Sequence, residues 1–136
     1  MFEPTEEVIK RTLDLAHETI QQCVVQLDIE ARIIRKERAV GIIPKRPGQK
    51  LRREVLDETA YALASTLNKN KVKIPFCAFN GGNDCFVDIG DKSIAIIALQ
   101  KLTGAKGDQC LHIGDQFLTH GNDFPCRFVT AHHPLF

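Results

Sequence analysis

No CxxC pair, no excess of charge of either sign and no long apolar run occur in this sequence of 136 residues. Each absence removes a class of protein. A membrane span needs roughly 18 or more consecutive apolar residues, and the acidic, proline-containing start MFEPTEEV is unlike a signal or transit peptide, so the expected compartment is the cytosol. The five cysteines (Cys23, Cys77, Cys85, Cys110, Cys126) are odd in number and widely spaced. They match neither a disulfide framework nor zinc-finger spacing and read as reduced, mostly core thiols. A net charge of +1, from 18 basic and 17 acidic residues, argues against nucleic acid or an acidic membrane as the partner. Repeats and low-complexity segments are also lacking.

What is present is a chain of ordinary globular composition, 43% hydrophobic and 26% charged, with unevenly distributed charge. Residues 32 to 53 hold nine Lys or Arg against the single acid Glu37, and residues 84 to 123 hold six aspartates. A basic region beside an acidic, potentially metal-binding one suits a phosphorylated small molecule. A solvated basic face with no ligand accounts for the charge equally well, and for Arg35, Lys36 and Arg38 the solvated or structural role is the preferred one.

Periodicity divides the chain. Thr5-Glu6-Glu7 signals a helix start, and Ile9, Leu13, Ala16, Ile20, Val24 and Leu27 follow at helical spacing. Short strands are expected at 31–37 and 39–43, then a second helix over 51–67 with Leu51, Val55, Leu56, Ala60, Leu63 and Leu67 inward. Strands 74–79 and 84–89 flank Asn80-Gly81-Gly82-Asn83, whose glycines permit a tight hairpin. From there the pattern becomes helix (93–102, with Ile94, Ile97, Ala98 and Leu102 inward), strand (110–113) and strand (127–130), the order of a parallel α/β sheet. The expected organisation is an α+β unit over 1–90 and an incomplete Rossmann-like piece over 91–136. Two parallel strands alone cannot bury both faces of a sheet.

The stretch with most chemistry is GDQFLTHGND, residues 114–123. In an open α/β sheet ligands gather beyond the carboxyl ends of strands, which is where Asp115 stands. A hard cation such as Mg2+ takes one or two carboxylates plus water and phosphate oxygens, and Asp115 with Asp123 supplies such a pair if Gly121-Asn122 turns the chain back. Lys92, in a helix's first turn, is by itself a solvated lysine.

Taken together, RKERAVGIIP (35–44), FNGGNDCFVDIGDK (79–92) and CLHIGDQFLTHGNDFPCR (110–127) resemble the IMP-specific 5'-nucleotidases of the haloacid dehalogenase (HAD) phosphatase superfamily. The likeness extends from the first helix to about Thr130, and a more distant one is to eukaryotic phosphomannomutases. The resemblance implies a HAD-like fold: a cap of antiparallel sheet and two helices, joined to part of a Rossmann-like core. It also implies Mg2+-dependent hydrolysis of IMP to inosine and phosphate. Residue by residue, Lys92 would contact the phosphate and offset its charge, Asp115 and Asp123 would hold the metal with Asn122 in support, and Asn83 and Asp84 would face the nucleotide. The family pattern further implies a homo-oligomer and ATP as an allosteric effector. Two alternatives stand beside it: a phosphosugar mutase or phosphatase of the same superfamily, and a non-catalytic nucleotide-binding or regulatory fragment.

One departure is sharp. HAD phosphatases act through an aspartate in a DxDxT or DxDxS motif, and the 136 residues contain none. Without that nucleophile the aspartyl-phosphate route is closed. The expectation is therefore a C-terminal portion of such an enzyme, inactive alone. His112 is expected to pack rather than react, His120 to be a substitution in the metal loop, and His17, His132 and His133 to carry no signal.

Overall fold

Thr5 sets the first helix in the computed structural model, which describes residues 4–119 and 121–131. His120, His132 and His133, with what the sequence suggested for them, lie outside the described residues. The Thr5 hydroxyl accepts the Val8 amide at 3.3 Å, and Glu6 and Glu7 sit at the positive end of the helix dipole. Helix α1 (Glu6–Gln26) then buries Ile9, Leu13, Ala16 and Ile20 along one stripe. Strands β1 (Ala31–Arg35) and β2 (Ala39–Pro44) follow, shorter at 36–37 than the sequence suggested. There the chain turns, with the Lys36 amide donating to the Ala39 carbonyl at 2.8 Å.

Helix α2 (Arg53–Lys69) and strands β3 (Phe76–Asn80) and β4 (Cys85–Ile89) complete this unit. The sheet is antiparallel throughout, in the order β1-β2-β4-β3. Both helices pack on one face. Val40, Ile42, Cys85 and Val87 of the central strands join Leu56, Ala60, Leu63 and Leu67 of α2 in a single buried cluster. Strand alternation sends the intervening side chains to the other face. On that outer face Ile34, Gly41, Phe86 and Phe79 form one cross-strand row, and Ala39, Asp88 and Cys77 the next.

Gly41 is there because the sheet leaves no room for a side chain. A Cβ at that position would meet the Cys85 carbonyl oxygen and the ring of Phe86, which lies across the glycine. Gly82, at φ +103°, makes the expected hairpin turn.

The remainder departs from expectation. Helix α3 (Lys92–Thr103) forms as predicted and ends on Gly104 at φ +74°. None of its side chains is buried, however, so Ile94, Ile97, Ala98 and Leu102 do not form an inward stripe. The strands expected at 110–113 and 127–130 reduce to one parallel bridge, Leu111 with Ala131, and Phe124–Phe128 is a 3-10 helix with Pro125 in its first turn. The physical reason is shared. A strand exists by pairing its backbone and a helix is buried by a sheet beneath it, and the described residues provide neither here. Leu99, Leu102, Leu111, Ile113 and Phe128 are between 59% and 84% exposed. No described helix is long and apolar enough to cross a membrane.

Overpacking a formed sheet costs about 1–3 kcal/mol. Gly41→Ala is accordingly expected to lower the thermal unfolding midpoint by several degrees, followed by circular dichroism. An unchanged midpoint for Gly41→Ala would show that the Phe86 seat is not constrained.

Candidate functional site

Where β4 ends, Gly90 turns at φ +87° and hands its amide to the Pro75 carbonyl at 2.7 Å. Asp91 then caps α3, its carboxylate accepting from the Ser93 amide at 2.8 Å and also from the Ser93 hydroxyl. Lys92 is thereby fixed at the first position of the helix. Its ammonium donates to Asp123 Oδ1 at 2.7 Å and to Asn122 Oδ1 at 3.2 Å. An ammonium has three donors, so one remains for a ligand, beside the positive end of α3.

Asp123 accepts more hydrogen bonds than any other side chain of the arrangement. Only 1% exposed, it accepts at Oδ1 from Lys92 and from His112 Nε2 at 2.8 Å. At Oδ2 it accepts from the amides of Asp115 (3.2 Å) and Gln116 (3.0 Å). Burial alone would push this carboxyl up, but the hydrogen bonds from Lys92, His112 and the Gln116 backbone outweigh it and hold the group down at about 2. The two glycines of the motif serve this geometry. A Cβ on Gly114 would fall on the Asp123 carboxylate, and one on Gly121 would fall on the Gln116 carbonyl.

The result separates the two aspartates that the sequence offered as a metal pair. Asp123 spends both oxygens on protein donors. Asp115 is exposed and, among the described residues, its carboxylate has no hydrogen bond or ion pair, so it is free to ligate. No group of three or more His, Cys, Asp or Glu able to hold a metal occurs among the described residues. Mg2+ characteristically takes only one or two carboxylates and fills its octahedron with water and phosphate oxygens. The donor set fits such a partial site through Asp115.

The structure brings Lys92, Asn122 and Asp123 into direct contact and sets the Asp115 amide against the Asp123 carboxylate. Sequence reasoning missed the His112–Asp123 bond. His112 does pack, edge-on to Phe117 at 5.8 Å between ring centroids, but it is also a bonded neighbour of the buried carboxylate. The signal available was its place three residues ahead of Asp115.

Asn83 stands elsewhere. Its amide accepts from the Leu51 amide (2.7 Å) and donates to the Gln49 carbonyl (2.8 Å), tying the hairpin to the start of α2. Asn83 and Asp84 also precede β4 while Lys92 follows it, at opposite ends of a strand spanning about 16 Å. Burial pushes the Asp84 carboxyl up, with Lys36 opposing.

Between the outer sheet face and the Lys92–Asn122 contact lies a cleft of about 250 Å3, lined by Cys77, Phe79, Asp88, Gly90, Lys92 and Asn122. Burial pushes the Cys77 thiol up to about 12, away from reactivity. All five cysteines are free. Of the basic segment, Arg35 pairs with Asp14 at 2.8 Å and Arg38 with Glu6 at 3.6 Å, both on α1.

Comparison with known proteins places this geometry in context. The family model described as IMP-specific 5'-nucleotidase matches residues 1–133. The IMP-specific 5'-nucleotidase 1 of Schizosaccharomyces pombe is 46% identical over 126 residues, 91% of this chain and 31% of that protein. Among solved structures, the N-terminally truncated, IMP-bound IMP-nucleotidase of Plasmodium falciparum superposes with a TM-score of 0.91 at 36% identity. The match takes in 95% of this chain and 34% of that one. The ATP-bound form of the Plasmodium falciparum enzyme gives 0.81 over 95% of this chain and 30% of its own. The chain thus spans about a third of the length of the relatives it matches.

Replacing Asp123 by Asn should release the Lys92 ammonium and speed hydrogen exchange at the Asp115 and Gln116 amides by about tenfold or more, given the usual cost of ~1–3 kcal/mol for a disrupted buried hydrogen bond. The unsubstituted, metal-free chain should show the same loosening with acid. Its carboxyl is held at about 2, below the ordinary value of about 3.9, so the contribution is complete above ~pH 4 and fades as pH falls through 2. A side-chain carboxyl carbon shift of Asp123 that titrates near 4 instead would contradict the network.

Proposed function

This chain belongs to the IMP-specific 5'-nucleotidase family, and from that we propose that it carries the cap and the phosphate- and metal-binding part of a HAD-like enzyme hydrolysing IMP to inosine and phosphate. The observation that carries the reading is the Lys92 ammonium. It is held by Asn122 and by the buried Asp123 carboxylate at the mouth of a cleft walled by the sheet's outer face.

In this reading residues 4–90 are the cap and residues from 91 onward belong to the catalytic core. Lys92 takes a 5'-phosphate oxygen with its remaining donor and offsets charge developing on the phosphoryl group. Mg2+, held by Asp115, would supply Lewis-acid polarisation of the phosphate and neutralisation of its charge. Asp123 keeps Asp115 and Lys92 in register with each other, and Asn122 supports the same turn. On the cap side Asp84 faces the nucleotide, and Asn83 contributes by fixing the hairpin.

The relatives' names speak of IMP, which favours this over a phosphosugar mutase or phosphatase. Because one solved relative holds ATP, control of the assembled enzyme by ATP forms part of the proposal, as do its homo-oligomeric state and its place in the cytosol. The phosphate-accepting aspartate is not among the 136 residues, so the proposal assigns no covalent step to this chain.

The test is reconstitution. Alone, the chain should release no phosphate from IMP above a control of buffer with Mg2+. A separately expressed segment of a full-length relative bearing the DxDxT strand should bind it and restore Mg2+-dependent hydrolysis. Lys92→Ala should then lower the regained rate by about 10²–10³-fold, the usual loss for a positioned electrostatic group, and Asp115→Asn should weaken its dependence on Mg2+. Assembly with undiminished activity in Lys92→Ala would overturn the assignment.

A further inference from the structure

Three basic residues stand together at the β1–β2 turn, and the structure disposes of two. Arg35 and Arg38 are paired with acids on α1. Lys36 instead reaches across the outer sheet face, its ammonium 5.0 Å from the centroid of the Phe86 ring. That ring is itself seated. It lies over Gly41, where any Cβ would displace it, and is only 9% exposed. A lysine resting on a fixed aromatic face is a placed charge, since the cation–π contact limits where the head can go.

Its surroundings are acidic and half-buried. Asp88 lies two residues after Phe86 on β4 and hence on the same outer face, and Asp84 stands just before the strand. Burial pushes both carboxyls up, and the positive charge of Lys36 opposes that in each. Asp88 also lines the cleft that contains Lys92, four residues further on, with Phe79 beside it as an apolar wall. The cleft therefore holds the Lys92 ammonium and the Asp88 carboxylate, and Lys36 stands on Phe86, outside its lining but on the same outer sheet face.

The geometry points to Lys36 and Asp88 as the pair that reads the 6-position edge of the purine: the ammonium donates to O6, and the carboxylate accepts N1–H. This deepens the proposed function and rests on it for the placement of the phosphate at Lys92. The complementarity follows from the side chains. A lysine head only donates, and an ionised aspartate only accepts. A 6-oxopurine presents an acceptor at O6 and a donor at N1, whereas adenine presents a donor at N6 and an acceptor at N1. Against adenine both contacts become mismatched. Each leaves a polar group of the site unpaired, the condition under which hydrogen-bonded sites discriminate most strongly.

The experiment is calorimetric titration of the purified chain with IMP, AMP and ribose 5-phosphate. Lys36 is exposed, so Lys36→Met should keep the fold, which circular dichroism checks. IMP is expected to bind at least about tenfold more tightly than AMP, roughly the 1.4 kcal/mol difference that one tenfold step represents. Lys36→Met should bring IMP down to the level of AMP, and Lys36→Arg should keep most of the preference. Asp88→Asn, whose amide can also donate, should narrow the ratio by raising AMP. Lys92→Ala should weaken all three ligands alike and leave the ratio unchanged. An IMP/AMP ratio that survives Lys36→Met, with the Lys92→Ala loss intact, overturns this inference and leaves the proposed function standing. Ribose 5-phosphate binding that is indifferent to Lys92→Ala overturns the phosphate assignment itself. If neither nucleotide binds, both readings fall.

Discussion

A carboxylate withdrawn from water has to be paid back in hydrogen bonds, and at Asp123 that requirement organises everything after residue 90. An uncompensated buried carboxylate costs several kcal/mol, so its two oxygens gather four donors: Lys92, His112 and the amides of Asp115 and Gln116. Bringing those donors to one point dictates the rest. The backbone must pass so close that positions 114 and 121 have no space for a side chain. The amide of Asp115 turns inward, which leaves its carboxylate outside and available. The start of α3 is drawn against the turn through Lys92.

The two parts of the chain are consequently held together by different forces. Up to about residue 90, apolar burial dominates: α1 and α2 close one face of the four-stranded sheet, and the central strands supply Val40, Ile42, Cys85 and Val87. Beyond it the only fully or nearly buried side chains among the described residues are those of Asp123 and Cys126. A polar network does there what a hydrophobic core does elsewhere, and it holds fewer residues. The large aliphatic side chains of this region remain in solvent, where they gain nothing from the hydrophobic effect. The cleft lies at the junction, between a rigid sheet face and a turn held by charge-assisted bonds.

That placement gives the cleft its chemical polarity. At one end Lys92 is anchored by its counter-ion and keeps a donor for an anion. Along the sheet, Asp88 and the seated Lys36 present an acceptor and a donor on a surface otherwise made of Phe79, Phe86 and Cys77. Of the nine basic residues from 32 to 53, Arg35 and Arg38 pair with α1, Arg46 with Glu30 and Arg53 with Asp57. Lys36 is the member whose direction matters, because strand alternation sends it to the face opposite from Arg35.

Much of this was legible in the linear sequence. Helical periodicity gave α1 and α2 with their inward residues, alternation and Gly-Gly gave the hairpins, and the family resemblance carried by GD…GND with an upstream DK pointed to Lys92, Asp115, Asn122 and Asp123. Those patterns are local: a helix stripe or a turn is determined within a few residues, and a motif can be matched without knowing its geometry. The division of labour between Asp115 and Asp123 was not legible. Two aspartates eight residues apart look alike in a sequence, and only the folded turn shows that one is consumed by four donors while the carboxylate of the other has no partner among the described residues. The same holds for Lys36, whose role depends on a ring from β4 lying over a glycine from β2, and for Asn83, whose amide is committed to the start of α2. The exposure of α3 belongs here too. An apolar helix face announces that it should be covered, but whether it is depends on elements distant in the chain, and tertiary packing alone decides that.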